Sequence, residues 1–70
     1  LKLLSAIERL SAFLLALAPH HGGSVVVTLP GGRRLIAGRL GVTPESLSRA
    51  FAALRPLGVI GRGRQVTIAD

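Results

Sequence analysis

Seventy residues with no cysteine and a net charge of +6 make at most one small domain, and exclude both a disulfide framework and a thiolate metal site. Hydrophobic residues form 49% of the chain, too many for a disordered segment and enough for one core. The longest apolar run, Ala12 to Pro19, is too short to span a bilayer and lacks the flanks of a signal peptide.

The chain opens on LKLL without an initiator methionine, as expected of a piece of a longer protein. Ser5-Ala6-Ile7-Glu8 has the capping-box pattern, in which hydroxyl and carboxylate each satisfy the other residue's amide. It predicts a helix from Ala6 to about Leu17, with Ile7, Leu10, Leu14 and Leu17 as the buried stripe. Leu1 to Leu4 precede that cap and read as the end of a preceding element, leaving residues 5–70 as the domain. Pro19 and Gly22-Gly23 end the helix. Ser24 to Leu29, SVVVTL, is a β-branched run bounded by glycines and Pro30, and predicts a strand.

A helix from Arg33 to Leu40 is expected next, with Gly32 at its N-cap and Leu35 or Ile36, Ala37 and Leu40 facing inward. Gly38 weakens that helix by about 1 kcal/mol relative to alanine. Gly41 supplies a turn where φ is positive. Thr43 is a good N-cap and Pro44 a good first residue, because the amide it lacks would be unpaired there. The helix they open carries Leu47, Ala50, Phe51 and Leu54 inward. Pro56 stops it at about Arg55 and predicts an irregular turn to Gly58. Val59-Ile60, a turn at Gly61-Arg62-Gly63, and Arg64 to Ile68 read as a β-hairpin, with Val66 and Ile68 alternating against Gln65 and Thr67.

Helix, strand, helix, turn, helix, hairpin is the order of a winged helix-turn-helix, a mainly α fold with a small β component. Seven arginines and one acid lie between Arg33 and Arg64. A short helix, a glycine turn and a helix with polar N-terminal side chains, set in a basic segment, is how a helix-turn-helix reaches DNA. Eight of the nine basic residues are arginine, whose guanidinium suits planar contact with phosphate and guanine.

Glu45, Ser48 and Arg49 share one helix face by their i, i+3, i+4 spacing. Arg49 could donate to guanine O6 and N7, and Glu45 accept from a cytosine amine. The Ser48 hydroxyl could donate to a base edge. The same residues also fit a solvated face with a local Glu45–Arg49 pair contributing about 0.3–0.5 kcal/mol. Thr43, Ser46, Arg33, Arg34, Arg62 and Arg64 are phosphate candidates, which fix register but carry little sequence information. His20 and His21 have no third ligand nearby in sequence, so a metal site is not expected. GGRR and GRGR lack the Gly-Lys-Ser/Thr ending of a phosphate-binding loop. Three acids in all, none paired, give no basis for acid–base catalysis, and no enzyme is expected.

The chain resembles the C-terminal DNA-binding domain of the CRP/FNR-type bacterial transcription regulators. AIERLSAFLLAL resembles the first helix of that domain, RRLIAGRLGVTPESLSRAFAAL its helix-turn-helix, and GVIGRGRQVTIAD its wing and final strand. Glu45, Ser48 and Arg49 fall on the Glu-x-x-Ser-Arg pattern of the FNR branch. Pro44 stands where the CRP branch has an arginine, and the departure favours a TTGA-like half-site. Pro56 and Gly32 also depart from the usual residues.

The resemblance implies a recognition helix over 44–55 in the major groove, read out by Glu45, Ser48 and Arg49. It implies double-stranded DNA with a palindromic operator, a homodimer, RNA polymerase and the cytoplasm as partners and setting, with no membrane. Residues 1–4 would then end a dimerisation or hinge element. No cofactor is implied for this segment; an effector of unknown identity would belong to a preceding sensor domain. The alternative is a winged helix used for protein–protein contact, its basic face meeting an acidic partner.

Overall fold

The computed structural model describes residues 2–18 and 23–69. The elements are α1 (Lys2–Leu17), β1 (Val25–Thr28), α2 (Arg33–Leu40), α3 (Pro44–Leu54), a 3-10 turn (Arg55–Leu57), β2 (Val59–Arg62) and β3 (Gln65–Ile68). The three strands form one antiparallel sheet in the order β1-β3-β2. The molecule is thus the winged helix-turn-helix expected, with the β2–β3 hairpin as its wing.

Four elements and one loop residue build the core. Ala6, Leu10 and Leu14 of α1 meet Ile36 and Ala37 of α2, Leu47, Ala50, Phe51 and Leu54 of α3, Val66 of β3, and Leu29 beyond β1. Each fully buried leucine or isoleucine contributes about 1.5–3 kcal/mol. All the buried residues are apolar among those described, so the polar side chains lie at the surface or in the shallow layer beneath it.

The first helix departs from expectation. It begins at Lys2, so Ser5 lies inside it and the capping box is not formed. Lysine and leucine are good helix formers, and the chain propagates through Ser5 instead of starting there. The buried face is also turned slightly. Ala6, Leu10 and Leu14 are buried, Ile7 and Phe13 only partly, and Leu17 is 40% exposed. Leu3 and Leu4 lie on the solvent side. No helix among the described residues is long and apolar enough to cross a membrane.

The link between α2 and α3 follows the sequence closely. Gly41 has φ 71°, a conformation that only glycine adopts without penalty. The Val42 amide donates to the Ala37 carbonyl at 3.0 Å, and the Gly41 amide to the Gly38 carbonyl at 3.2 Å. This pair of bonds is a Schellman motif, and it closes carbonyls that the helix end leaves open. Thr43 then caps α3: its hydroxyl accepts from the Ser46 amide at 3.1 Å, with Pro44 in the first turn.

The hairpin corrects the sequence reading. Its turn is Gly63-Arg64, not Gly61-Arg62-Gly63, and β2 runs on through Arg62. Only Gly63 of the two glycines has positive φ, at 62°. A positive φ at the first central residue alone is the pattern of a II′ hairpin turn. Gly61 pairs with Val66 inside the ladder. A Cβ there would lie 2.7 Å from Arg33 Nη2 and 3.2 Å from Phe51 Cε1. Gly61 therefore serves close packing, and glycine as a turn signal misread it.

Candidate nucleic-acid interface

α3 presents two faces. Leu47, Ala50, Phe51 and Leu54 are buried, which leaves Glu45, Ser48 and Arg49 outward together. All three are exposed, and none has a side-chain hydrogen bond or ion pair among the described residues. The local Glu45–Arg49 pair allowed by the sequence is not formed. Arg49 keeps all its donors available, and its planar fork can meet two acceptors at once.

The phosphate candidates divide into two sets. Arg34 on α2 and Arg62 at the end of β2 are exposed and, among the described residues, make no side-chain hydrogen bond. The others are engaged. The Thr43 hydroxyl donates to Ser46 Oγ at 3.0 Å while accepting from the Ser46 amide, so both residues fasten the start of α3. Arg64 donates from Nε and Nη2 to the Leu29 carbonyl, at 3.2 and 3.1 Å. The Leu29 amide in turn donates to the Arg64 carbonyl at 2.6 Å. Arg64 thus ties the wing turn to the end of β1.

Arg33 is placed differently again. Its guanidinium lies over the Phe51 ring, 4.0 Å from the centroid, an attraction contributing about 0.5–1 kcal/mol at an exposed site. Its Nε is buried without a hydrogen-bond partner. Arg33, Ser48, Phe51, Arg55, Ile60 and Gly61 are among the residues lining an open cleft of about 260 Å³ between α3 and the wing.

One structural cation was not read from the sequence. Arg9 of α1 donates from Nη1 to the Leu40 carbonyl at 2.9 Å, and more weakly to the Gly41 carbonyl at 3.4 Å. It places a positive charge at the C-terminal end of α2, where the helix dipole favours one. The partners are 31 and 32 residues apart in the chain, so no local pattern announces the contact. His20 and His21 lie outside the described residues, and among those described no group of three metal-ligating side chains gathers.

A glycine-linked helix pair with exposed polar side chains on the second helix, flanked by a basic hairpin, defines a winged helix-turn-helix of the DNA-binding class. The sequence profile of the Crp-like helix-turn-helix domain matches residues 8–70, and the chain belongs to that family. It is 40% identical over 55 residues to the nitrogen fixation regulation protein FixK of Rhizobium meliloti, covering 79% of this chain and 26% of that protein. Among solved structures, it is similar to a putative cyclic nucleotide binding protein of Ruegeria pomeroyi, with 46% identity and a TM-score of 0.85 over 93% of this chain and 29% of the other. It is also similar to DNR of Pseudomonas aeruginosa, with 35% identity and a TM-score of 0.79 over 99% and 31%. The chain therefore spans between a quarter and a third of the length of these relatives. It is a DNA-binding output domain of the transcription-regulator type, not an enzyme.

Proposed function

We propose that this domain reads a TTGA-like half-site with α3 in the major groove. Arg49 donates two hydrogen bonds to guanine O6 and N7, and Glu45 accepts from a cytosine N4 amine. Ser48 donates to a neighbouring base edge. Arg34 and Arg62 neutralise phosphates, and the Glu45 amide is the one donor left for a phosphate in the first turn of α3, since Pro44 has no N–H and the Ser46 amide is held by Thr43. Thr43, Ser46 and Arg64 contribute by fixing the start of α3 and the wing. The observation that carries this reading is the joint exposure of Glu45, Ser48 and Arg49, unpaired, opposite the buried face of α3. Membership of the Crp-like family supports it.

The whole regulator would act in the cytoplasm as a homodimer on a palindromic operator, its two recognition helices about 34 Å apart. RNA polymerase would be its further partner. Residues 1–4 would join the domain to a dimerisation or hinge element, and α1 includes residues 2–4 of that junction. The effector would be sensed outside these residues. The 70-residue chain alone then binds DNA weakly and mainly non-specifically, with affinity that falls steeply as salt rises.

Selection of bound sites from a random duplex pool, using the dimeric regulator, tests the proposal. Enrichment of paired TTGA-like half-sites is expected. A pool that stays random after binding would overturn it and favour a protein-interaction surface.

A further inference from the structure

We infer that Arg33 is a positioning residue, a planar wedge that sets the spacing between the recognition helix and the wing. The inference rests on the proposed DNA reading only in saying what that spacing serves. Arg33 opens α2, Phe51 belongs to α3 and Gly61 to β2, so three elements meet at one guanidinium. One face of the guanidinium covers the Phe51 ring at 4.0 Å. Its Nη2 approaches Gly61 so closely that a Cβ there would stand 2.7 Å away. The same Cβ would stand 3.2 Å from the Phe51 ring, so Gly61 leaves room for both partners of the stack.

The chemistry of the contact depends on shape as well as charge. A guanidinium is flat and weakly hydrated, and it stacks on an aromatic face; an ammonium is compact and strongly hydrated. Lysine at position 33 would keep the charge and lose the wedge. Alanine at position 61 would keep both charges and expel the wedge, since the flexible end of Arg33 gives way before the ladder or the core ring does. A cation acting on phosphate alone would be indifferent to the lysine change, which keeps its charge. The buried, unpartnered Nε fits a group held by stacking and packing instead of by hydrogen bonds.

Two measurements on the 70-residue chain test this. In the free chain, NMR should show the Arg33 side-chain protons shifted upfield by the Phe51 ring, and a nuclear Overhauser contact between that ring and the Gly61 Hα. Arg33→Lys should lose the ring contact to Gly61, and Gly61→Ala should abolish the upfield shift. In titrations with a TTGA-containing duplex, Arg33→Lys and Gly61→Ala should each weaken binding by about 2–5-fold. In either background, Arg62→Ala should weaken binding less than it does in the wild type, because the wing is already displaced.

Wild-type binding by Arg33→Lys, with loss only in Arg33→Ala and losses additive with Arg62→Ala, would make Arg33 an independent phosphate cation and overturn the inference. So would an unshifted Arg33 spectrum in the wild type. Equal binding of TTGA and scrambled duplexes by the dimeric regulator would sink the base-reading proposal instead. The NMR contacts and the coupling to Arg62, read on any duplex, would still decide the role of Arg33.

Discussion

The recognition helix and the wing use their polar residues in opposite ways. On α3, Glu45, Ser48 and Arg49 are exposed and make no side-chain bond within the protein among the described residues. Around the wing, Arg64 holds the Leu29 carbonyl and Arg33 stacks on Phe51. Arg9 of α1 holds the Leu40 carbonyl at the end of α2. A net charge of +6 therefore overstates the cations at liberty to meet a polyanion. Three of the eight arginines are engaged within the fold, Arg33 by stacking and Arg9 and Arg64 as donors, because the donors of a rigid fork can satisfy carbonyls that helix and strand ends leave open.

The contrast is lost altogether if the frame that aims α3 fails. Gly41→Val puts a β-branched residue at φ 71°, and its Cβ would lie 3.1 Å from Arg9 Nη1. The left-handed conformation alone costs about 1–2 kcal/mol for a residue with a Cβ, and the Arg9 contact adds to it. Urea unfolding should show a larger loss of stability for Gly41→Val than for either Arg64→Ala or Arg62→Ala. Wild-type stability would contradict the role given to the turn.

Arg64→Ala comes next. It removes two hydrogen bonds to Leu29, and unfolding should register a loss of about 1 kcal/mol, which lowers Tm by about 4–8 °C in a domain of this size. An unchanged Tm would return Arg64 to the set of surface cations. Gly38→Ala should act in the other direction. Gly38 is helical and exposed, and a Cβ there meets nothing within 4 Å, so the gain should be about 0.5–1 kcal/mol. Arg62→Ala should leave stability within about 0.5 kcal/mol while lowering the salt slope of DNA binding by about 0.9. A loss of stability in Arg62→Ala would erase its contrast with Arg64.

Elements with strong local signals were legible from the sequence. Gly32, Gly41, Thr43 and Pro44 bound α2 and α3 as expected, and Pro56 ended regular helix at Leu54, before a 3-10 turn. Leu47, Ala50, Phe51 and Leu54 were the buried face of α3. The errors arose where a local pattern had two physical uses. Ser5 and Glu8 match a capping box, yet good helix formers on either side carry the helix through them. Gly61 and Gly63 look alike in sequence, yet one makes a turn and the other makes room. The exposed face of α3 could be placed from spacing alone. The engagement of Arg9, Arg33 and Arg64 could not, since each bond joins elements distant in the chain and depends on how they pack.

If Arg49 reads a base because the fold leaves it free, removing its side chain should erase a preference and not merely lower an affinity. A pair of titrations of the dimeric regulator at fixed salt decides this, using a TTGA duplex and the same duplex with the guanine replaced by adenine, for the wild type and for Arg49→Ala. The wild type should favour guanine by about 1–3 kcal/mol, and Arg49→Ala should bind the two duplexes alike. A variant that binds both more weakly by the same factor, and so keeps the wild-type preference for guanine, would contradict base readout by Arg49.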